Sequence, residues 1–257
     1  MITLTTARAS LFFLGLALAS SAVGCAPGAP ETTDEDAADQ ADALRDGEIV
    51  DEERPEVGRI TFGNAYCTGT LIGPRTVLTA AHCFEFGSGV VAESAPPAGE
   101  LVITYGGGKT LRVPYHRYRA DANVLQVGFD IGIAQLDTPV PAEIARPAEL
   151  AEEWPEEDDD TLTVYGYGRY GKGCKNTDSG VHHKRKDIVE LPDGFWHRVT
   201  CPGDSGGPYF FTGTDEVVAV VKGDGLGMEW VGDVVQHRDW VVRQLEASEA
   251  GALQTDD

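Results

Sequence analysis

Positive charge is scarce in this 257-residue chain, in which 20 lysines and arginines face 42 aspartates and glutamates for a formal net charge of −22. Such a surface repels a phosphate backbone, so nucleic acid is excluded as a partner. The deficit is concentrated: residues 31–53 hold eleven acids and one arginine, and residues 143–160 hold nine acids and one arginine. The rest of the chain is only mildly acidic. Long apolar runs are missing too. The run over residues 11–24, Leu-Phe-Phe-Leu-Gly-Leu-Ala-Leu-Ala-Ser-Ser-Ala-Val-Gly, is too short to cross a bilayer. It follows a stretch whose one charge is Arg8 and ends in small residues, which is the pattern of a secretory signal. Cysteine is sparse, with five in all and none after Cys201. In an exported chain an even set pairs, which leaves one over. The clustered acids Glu156 to Asp160 lack the alternating spacing of a calcium loop, so no metal is expected there.

Three short stretches stand against this background. In Cys201-Pro202-Gly203-Asp204-Ser205-Gly206-Gly207-Pro208, glycines flank one serine, so amide groups can converge beside an exposed hydroxyl. In Leu78-Thr79-Ala80-Ala81-His82-Cys83, a histidine sits among small and apolar residues after a strand-like run, a firm setting for a general base. In Phe129-Asp130-Ile131-Gly132-Ile133-Ala134, an acid heads an apolar strand, where its carboxylate is costly to bury without a donor. An imidazole N–H is such a donor, and the three side chains together can activate a hydroxyl for attack on a carbonyl. Each stretch alone has a plainer reading: a turn serine, a core histidine, a strand-capping aspartate. Their joint occurrence disfavours that set.

His82 in Thr-Ala-Ala-His-Cys, Asp130 in Asp-Ile-Gly-Ile-Ala and Ser205 in Gly-Asp-Ser-Gly-Gly-Pro, in that order, resemble the trypsin/chymotrypsin family of serine endopeptidases. The resemblance runs from about Ile49 to about Leu245 and is closest to bacterial secreted members. It implies an all-β fold of two packed six-stranded antiparallel β-barrels with a C-terminal helix, and catalysis in the cleft between the barrels. It further implies an oxyanion hole from the N–H groups of Gly203 and Ser205, a disulfide between Cys67 and Cys83, and no cofactor. Cys174 and Cys201 remain for a second disulfide. Relatives that cut after lysine or arginine carry aspartate six residues before the nucleophile. This chain has Val199 there, so an apolar or small residue before the scissile bond is expected.

The resemblance also orders the chain: a signal peptide over 1–24, an acidic tether or propeptide over 25–48, a protease domain over 49–250 and a tail over 251–257. The tether is too polar to offset its ordering entropy. Ile49 stands where the mature chain of the family begins. A new amine there would pair with Asp204, which calls for an activating protease, although Glu48 rather than a basic residue precedes the bond. Ala22-Val23-Gly24-Cys25 resembles a bacterial lipobox, so Cys25 is the expected lipidation site and a lipid anchor the expected membrane contact. The product is a secreted or cell-envelope protein acting on proteins or peptides. Two other readings share these residues: an inactive protease-like binding module, and an esterase using the same three groups.

Overall fold

A computed structural model of the chain describes residue 44 and residues 47–62, 65–84, 91–93, 99–120, 129–154, 161–177, 183–190, 199–225 and 228–253. The expected signal peptide, Cys25 and most of the tether lie outside these residues. All the described residues fall in one compact unit, Ala41–Asp257.

The strands are β1 (Glu48–Ile49), β2 (Val57–Phe62), β3 (Ala65–Gly73), β4 (Thr76–Thr79), β5 (Val91–Glu93), β6 (Gly99–Tyr105), β7 (Lys109–Ala120) and β8 (Gly132–Leu136). They continue as β9 (Glu149–Leu150), β10 (Thr161–Gly166), β11 (Arg185–Glu190), β12 (Pro208–Phe211), β13 (Glu216–Gly225) and β14 (Met228–Asp233), followed by the helix α1 (Arg238–Glu249). Local chemistry sets the turns. Pro74 and Arg75 join β3 to β4, and Gly106 to Gly108 join β6 to β7, with Gly107 and Gly108 at φ of 77° and 74° that other residues rarely adopt.

The first sheet runs β5-β7-β6-β2-β3-β4-β8, and a further pairing of β7 with β8 closes six of its strands into an antiparallel barrel. Closure removes the edges, so strands such as Thr76–Thr79 are buried along their whole length. Leu71, Val77, Leu101, Ile103, Tyr115 and Leu136 fill the interior. The second sheet runs β1-β11-β10-β12-β13-β14, with β9 beside β13, and does not close among the described residues. Its core holds Leu162, Val164, Val199, Tyr209 and Val218.

A third apolar cluster lies between the two sheets. Val57, Ile72, Leu78, Ile131 and Ile133 come from the barrel, Tyr165, Phe210, Val217 and Val220 from the second sheet, and Val241 from α1. This seam positions the candidate site. The helix is tied to it: Glu249 Oε1 accepts the Arg75 N–H at 2.9 Å and the Thr76 hydroxyl at 2.6 Å.

Three details differ from the sequence reading. The histidine–lysine–arginine stretch 182–186, which reads as a solvated surface, is largely internal in its described part: Lys184 has no exposure and Arg185 is 5% exposed. Lys184 Nζ donates to the Arg54 and Val57 carbonyls, and burial lowers its pKa to about 8 against the opposing pull of Glu56, Asp51 and Glu53. Asp51 also accepts from the backbone N–H of Lys184 at 2.8 Å and lies 2.6 Å from His183. Asp51, Glu53 and Glu56 are therefore counter-charges of this stretch. At the other end Leu253, assigned to the tail, is buried and donates its N–H to Gln135.

The third difference is where folding begins. Leu44 belongs to the residues read as a tether, yet it is 1% exposed, packs in the core of the second sheet beside Val199, and donates its N–H to the Val199 carbonyl at 3.0 Å. Glu48 then enters β1, paired with β11. Replacing Leu44 by alanine removes a fully buried side chain and should lower the unfolding free energy by about 2–4 kcal/mol, read by urea denaturation of the intact chain. A loss below about 0.5 kcal/mol, the range of surface substitutions, would place Leu44 outside the core.

Candidate active site

The barrel delivers two of the three side chains. β4 ends at Thr79, and a 3₁₀ turn over Ala81–Cys83 carries His82 away from the wall. Cys83 is bonded to Cys67 on β3, so the turn is stapled back to the barrel. Asp130 lies just ahead of β8, the neighbour of β4. It has no exposed surface and holds a φ of 117°, a strained conformation for a residue other than glycine.

That backbone lets Asp130 clasp the turn at three points. Its carbonyl accepts the Ala81 N–H at 3.2 Å, Oδ1 accepts the His82 N–H at 2.8 Å, and Oδ2 lies 2.6 Å from Nδ1 of the His82 ring. Beside an ionised carboxylate, Nδ1 carries the proton and Nε2 presents its lone pair. The His82 side chain keeps 21% of its exposure, so one edge of the ring faces outward. The two sulfurs near this ring belong to a disulfide and have no thiolate to offer, so the grouping of Cys67, His82 and Cys83 is not a metal site.

The second sheet delivers the serine. Cys201 to Gly207 folds as a tight loop ahead of β12, with Gly203 at φ 104° and Gly206 at φ 78°. The Asp204 N–H donates to Cys201 and the Gly207 N–H to Asp204, while the Gly206 N–H donates to Val221 at 2.7 Å. Among the described residues, the amides of Gly203 and Ser205 donate to no backbone carbonyl, which suits a pair meant for an incoming oxyanion. The loop is stitched to the barrel by Thr68: its N–H donates to the Ser205 carbonyl at 2.8 Å and its hydroxyl to the Gly203 carbonyl at 3.0 Å. A Cβ at Gly206 would come within 2.7 Å of the Ala80 nitrogen, so only glycine lets the serine loop close on the segment leading to His82. His82, Asp130 and Ser205 are thus assembled at one seam.

Asp204 points the other way, into the second sheet. Its Oδ1 accepts the Gly168 N–H at 2.7 Å and its Oδ2 the Cys201 N–H at 2.8 Å. Gly166 and Gly168 are required here, because a Cβ on either would run into the Asp204 carboxylate. Burial pushes the Asp204 pKa up to about 7, opposed by those two amides and by the charge of Arg185 and reinforced by Glu229. Cys201 is held by its disulfide to Cys174, as expected. Ile49 is not brought to Asp204 in the intact chain: its side chain is 52% exposed and it pairs on β1 with Arg185.

Val199, the expected pocket residue, is 7% exposed. Its N–H faces Glu229 Oε2 at 3.3 Å, and the Thr200 hydroxyl donates to Oε1 of the same buried carboxylate. Sequence reasoning missed Glu229 and Thr68. Both act across strands, and nothing in their local sequence signals it.

The Trypsin family model matches residues 47–229. The chain is 28% identical over 172 residues to a trypsin of Saccharopolyspora erythraea, covering 57% of this chain and 70% of that protein. It is 26% identical over 226 residues to trypsin epsilon of Drosophila erecta, covering 76% and 83%, and 32% identical over 133 residues to trypsin theta of Drosophila melanogaster, covering 48% and 49%. Among solved structures it is similar to neuropsin, described as a serine protease expressed in the limbic system of mouse brain, with a TM-score of 0.56 at 16% identity over 77% of this chain and 97% of that one.

The raised Asp204 pKa has a signed consequence. The unfolded carboxyl releases its proton near pH 3.8, whereas the folded one holds it to about pH 7. The contribution is therefore full below pH 3.8 and is lost as pH rises through about 7, a loss on the order of 4 kcal/mol. Denaturation of the intact chain should show stability falling over this window, with the slope flattened in Asp204→Asn. No fall over this window, with stability lost instead as pH drops below about 3.8, would mean that Asp204 is ionised and paired.

Proposed function

Since the chain belongs to the trypsin family, we propose that it is an exported serine endopeptidase in which Ser205 is the nucleophile, His82 the general base and Asp130 its orienting carboxylate. The observation that carries this reading is the clasp of Asp130 on His82, at 2.8 Å to the backbone and 2.6 Å to the ring, beside a serine loop closed on the same segment. Ser205 Oγ attacks the peptide carbonyl as His82 Nε2 takes its proton. The ring then passes that proton to the leaving amine, and water hydrolyses the acyl-enzyme by the same route. The N–H groups of Gly203 and Ser205 receive the oxyanion, where one such donor is typically worth about 3–4 kcal/mol of transition-state stabilisation.

The enzyme is made as a zymogen in this reading. Cleavage of Glu48–Ile49 frees an amine for Asp204, whose buried carboxyl lacks an equal counter-charge in the intact chain, as its raised pKa reflects. Export follows from residues 1–24, and Cys25 is the proposed lipid attachment, which the same cleavage would separate from the enzyme. Val199 favours an apolar or small residue before the scissile bond. A second reading, a basic residue there, is favoured by the buried Glu229 carboxylate beside Val199, which places negative charge at that wall from another strand.

Fluorophosphonate labelling before and after limited proteolysis, read by intact mass and N-terminal sequence, tests the mechanism. Label on Ser205 only in the form beginning at Ile49, and none in Ser205→Ala, is the expected result. Label on the uncut chain would remove the zymogen, and no label in either form would remove the enzyme. Cleavage of a mixed peptide library then separates the specificity readings: Glu229→Gln should leave an apolar preference untouched, whereas a basic preference should fall at least about tenfold.

A further inference from the structure

The outer face of the barrel carries a pocket of about 420 Å³. One wall is a row across three strands: Arg59 on β2 pairs with Val102 on β6, and Val102 with Arg112 on β7, so the three side chains share a face and two guanidinium groups flank an apolar one. The opposite wall is the buried Tyr167 with Asp51, Glu52 and His183. The acids of that wall are engaged, Asp51 with His183 and the Lys184 N–H, and Glu52 with the Gly107 N–H at 2.9 Å. Arg112 is exposed and paired with Glu100. Arg59 differs. It is half-buried, and among the described residues no carboxylate forms an ion pair with it, although the chain is strongly acidic. Burial and the charge of Arg112 lower its pKa, with Glu100 opposing. A cation so placed is short of an anion.

The pocket borders the oxyanion amides at two points. Arg59 Cζ lies 5.8 Å from the centroid of the Tyr66 ring, and Tyr66 packs so closely on Gly203 that a Cβ there would sit 2.6 Å from the ring. The same Cβ would lie 2.9 Å from Cα of Gly168, the residue after Tyr167. The Arg59 guanidinium therefore stands about three residues of extended chain from Gly203.

We propose that Arg59 is a specificity-determining residue, and that this pocket takes the side-chain carboxylate of an aspartate or glutamate at the second or third residue beyond the scissile bond, on the leaving side of the substrate. The inference rests on the endopeptidase reading above. In that reading the acyl half of the substrate seats its side chain at Val199, on the second sheet. The half that departs with the proton from His82 then crosses Gly203 toward the barrel, where Tyr66 and Arg59 stand. A carboxylate there gives Arg59 the planar, two-pronged partner that its guanidinium fits, while Val102 and Tyr167 line the space for the methylenes. A lysine in the same place would meet two like charges.

The test uses whichever form of the chain takes fluorophosphonate at Ser205, and peptides that share the best acyl half from the mixed library. They carry glutamate, glutamine or lysine at the second and third positions after the scissile bond. The wild type should cleave the glutamate peptide with a kcat/KM about fivefold above that of the glutamine peptide, the upper range for an incompletely buried charge pair, and the lysine peptide most slowly. Arg59→Gln should abolish the glutamate preference and Arg59→Lys should keep part of it. Arg59→Glu should reverse the order in favour of lysine, which a loss of packing alone would not do. Equal values for the three peptides in the wild type would overturn the proposal. So would a glutamate preference that survives in Arg59→Gln, or an Arg59→Glu variant that keeps the wild-type denaturation midpoint and shows no reversal. A wild type that takes no label, or takes it and cleaves no peptide, would instead remove the endopeptidase reading and this inference with it.

Discussion

A carboxylate with no solvent contact must find its stabilisation inside the protein, and the seam of this molecule is arranged around that requirement. Asp130 meets it by accepting both the backbone and the ring nitrogens of His82 while its own carbonyl takes the Ala81 N–H. These bonds need Asp130 at φ 117°, a conformation that costs of order 1–3 kcal/mol and persists only if its surroundings impose it. They are imposed by β4 and β8 lying side by side in a closed barrel, which fixes the start of one strand against the end of the other. The orientation of the imidazole is therefore a property of the barrel, rather than of the loop that carries it.

The same logic explains why the two sheets meet through such small residues. Gly206 brings the serine loop onto Thr79, Ala80 and the Thr68 carbonyl, and Gly207 brings it onto the Tyr165 carbonyl, at distances that leave no room for a side chain. Thr68 then supplies the polar contacts the close approach requires, and Thr79 donates its hydroxyl back to Thr68 at 2.7 Å. Apolar burial holds the sheets together, but it is non-directional. Register at the seam comes from these few hydrogen bonds. A threonine one residue after a disulfide cysteine thus sets the geometry between nucleophile and base, although it takes no part in the proposed chemistry.

The residues to which the proposed chemistry is assigned stand out in the sequence because each sits among small or glycine neighbours. His82, Asp130, Gly203 and Ser205 belong to this class; the pairing of Cys67 with Cys83, the barrel and the C-terminal helix followed from the resemblance those residues carried, and Cys174 with Cys201 was the pair that remained. What could not be read depends on register between distant strands. Glu229 meets Val199 only because β14 turns back along β13. Lys184 and Arg185 read as solvated because their neighbours in sequence are polar, whereas the counter-charges of Lys184 lie more than a hundred residues upstream. Leu44 failed for a related reason: one apolar residue in an acidic stretch has no periodicity, so only its docking against Val199 reveals it as core.

Asp204 and Ile49 show how far apart two halves of a proposed switch can lie while sharing one sheet. Gly166 on β10 abuts the Asp204 carboxylate, Arg185 on β11 pairs with Gly166, and Ile49 on β1 pairs with Arg185 from the far side. In the intact chain, the cation between them is Arg185, its guanidinium stacked 3.9 Å from the Tyr170 ring and its charge lowering the Asp204 pKa without overcoming burial. A new amine at Ile49 would have to leave β1, pass β11 and reach the same carboxylate. Leu44 opposes that path, since its burial anchors the chain on the upstream side of the bond to be cut. Cleavage would release this anchor from Ile49, so the intact peptide link, rather than the affinity of Asp204 for a cation, is what holds the two halves apart.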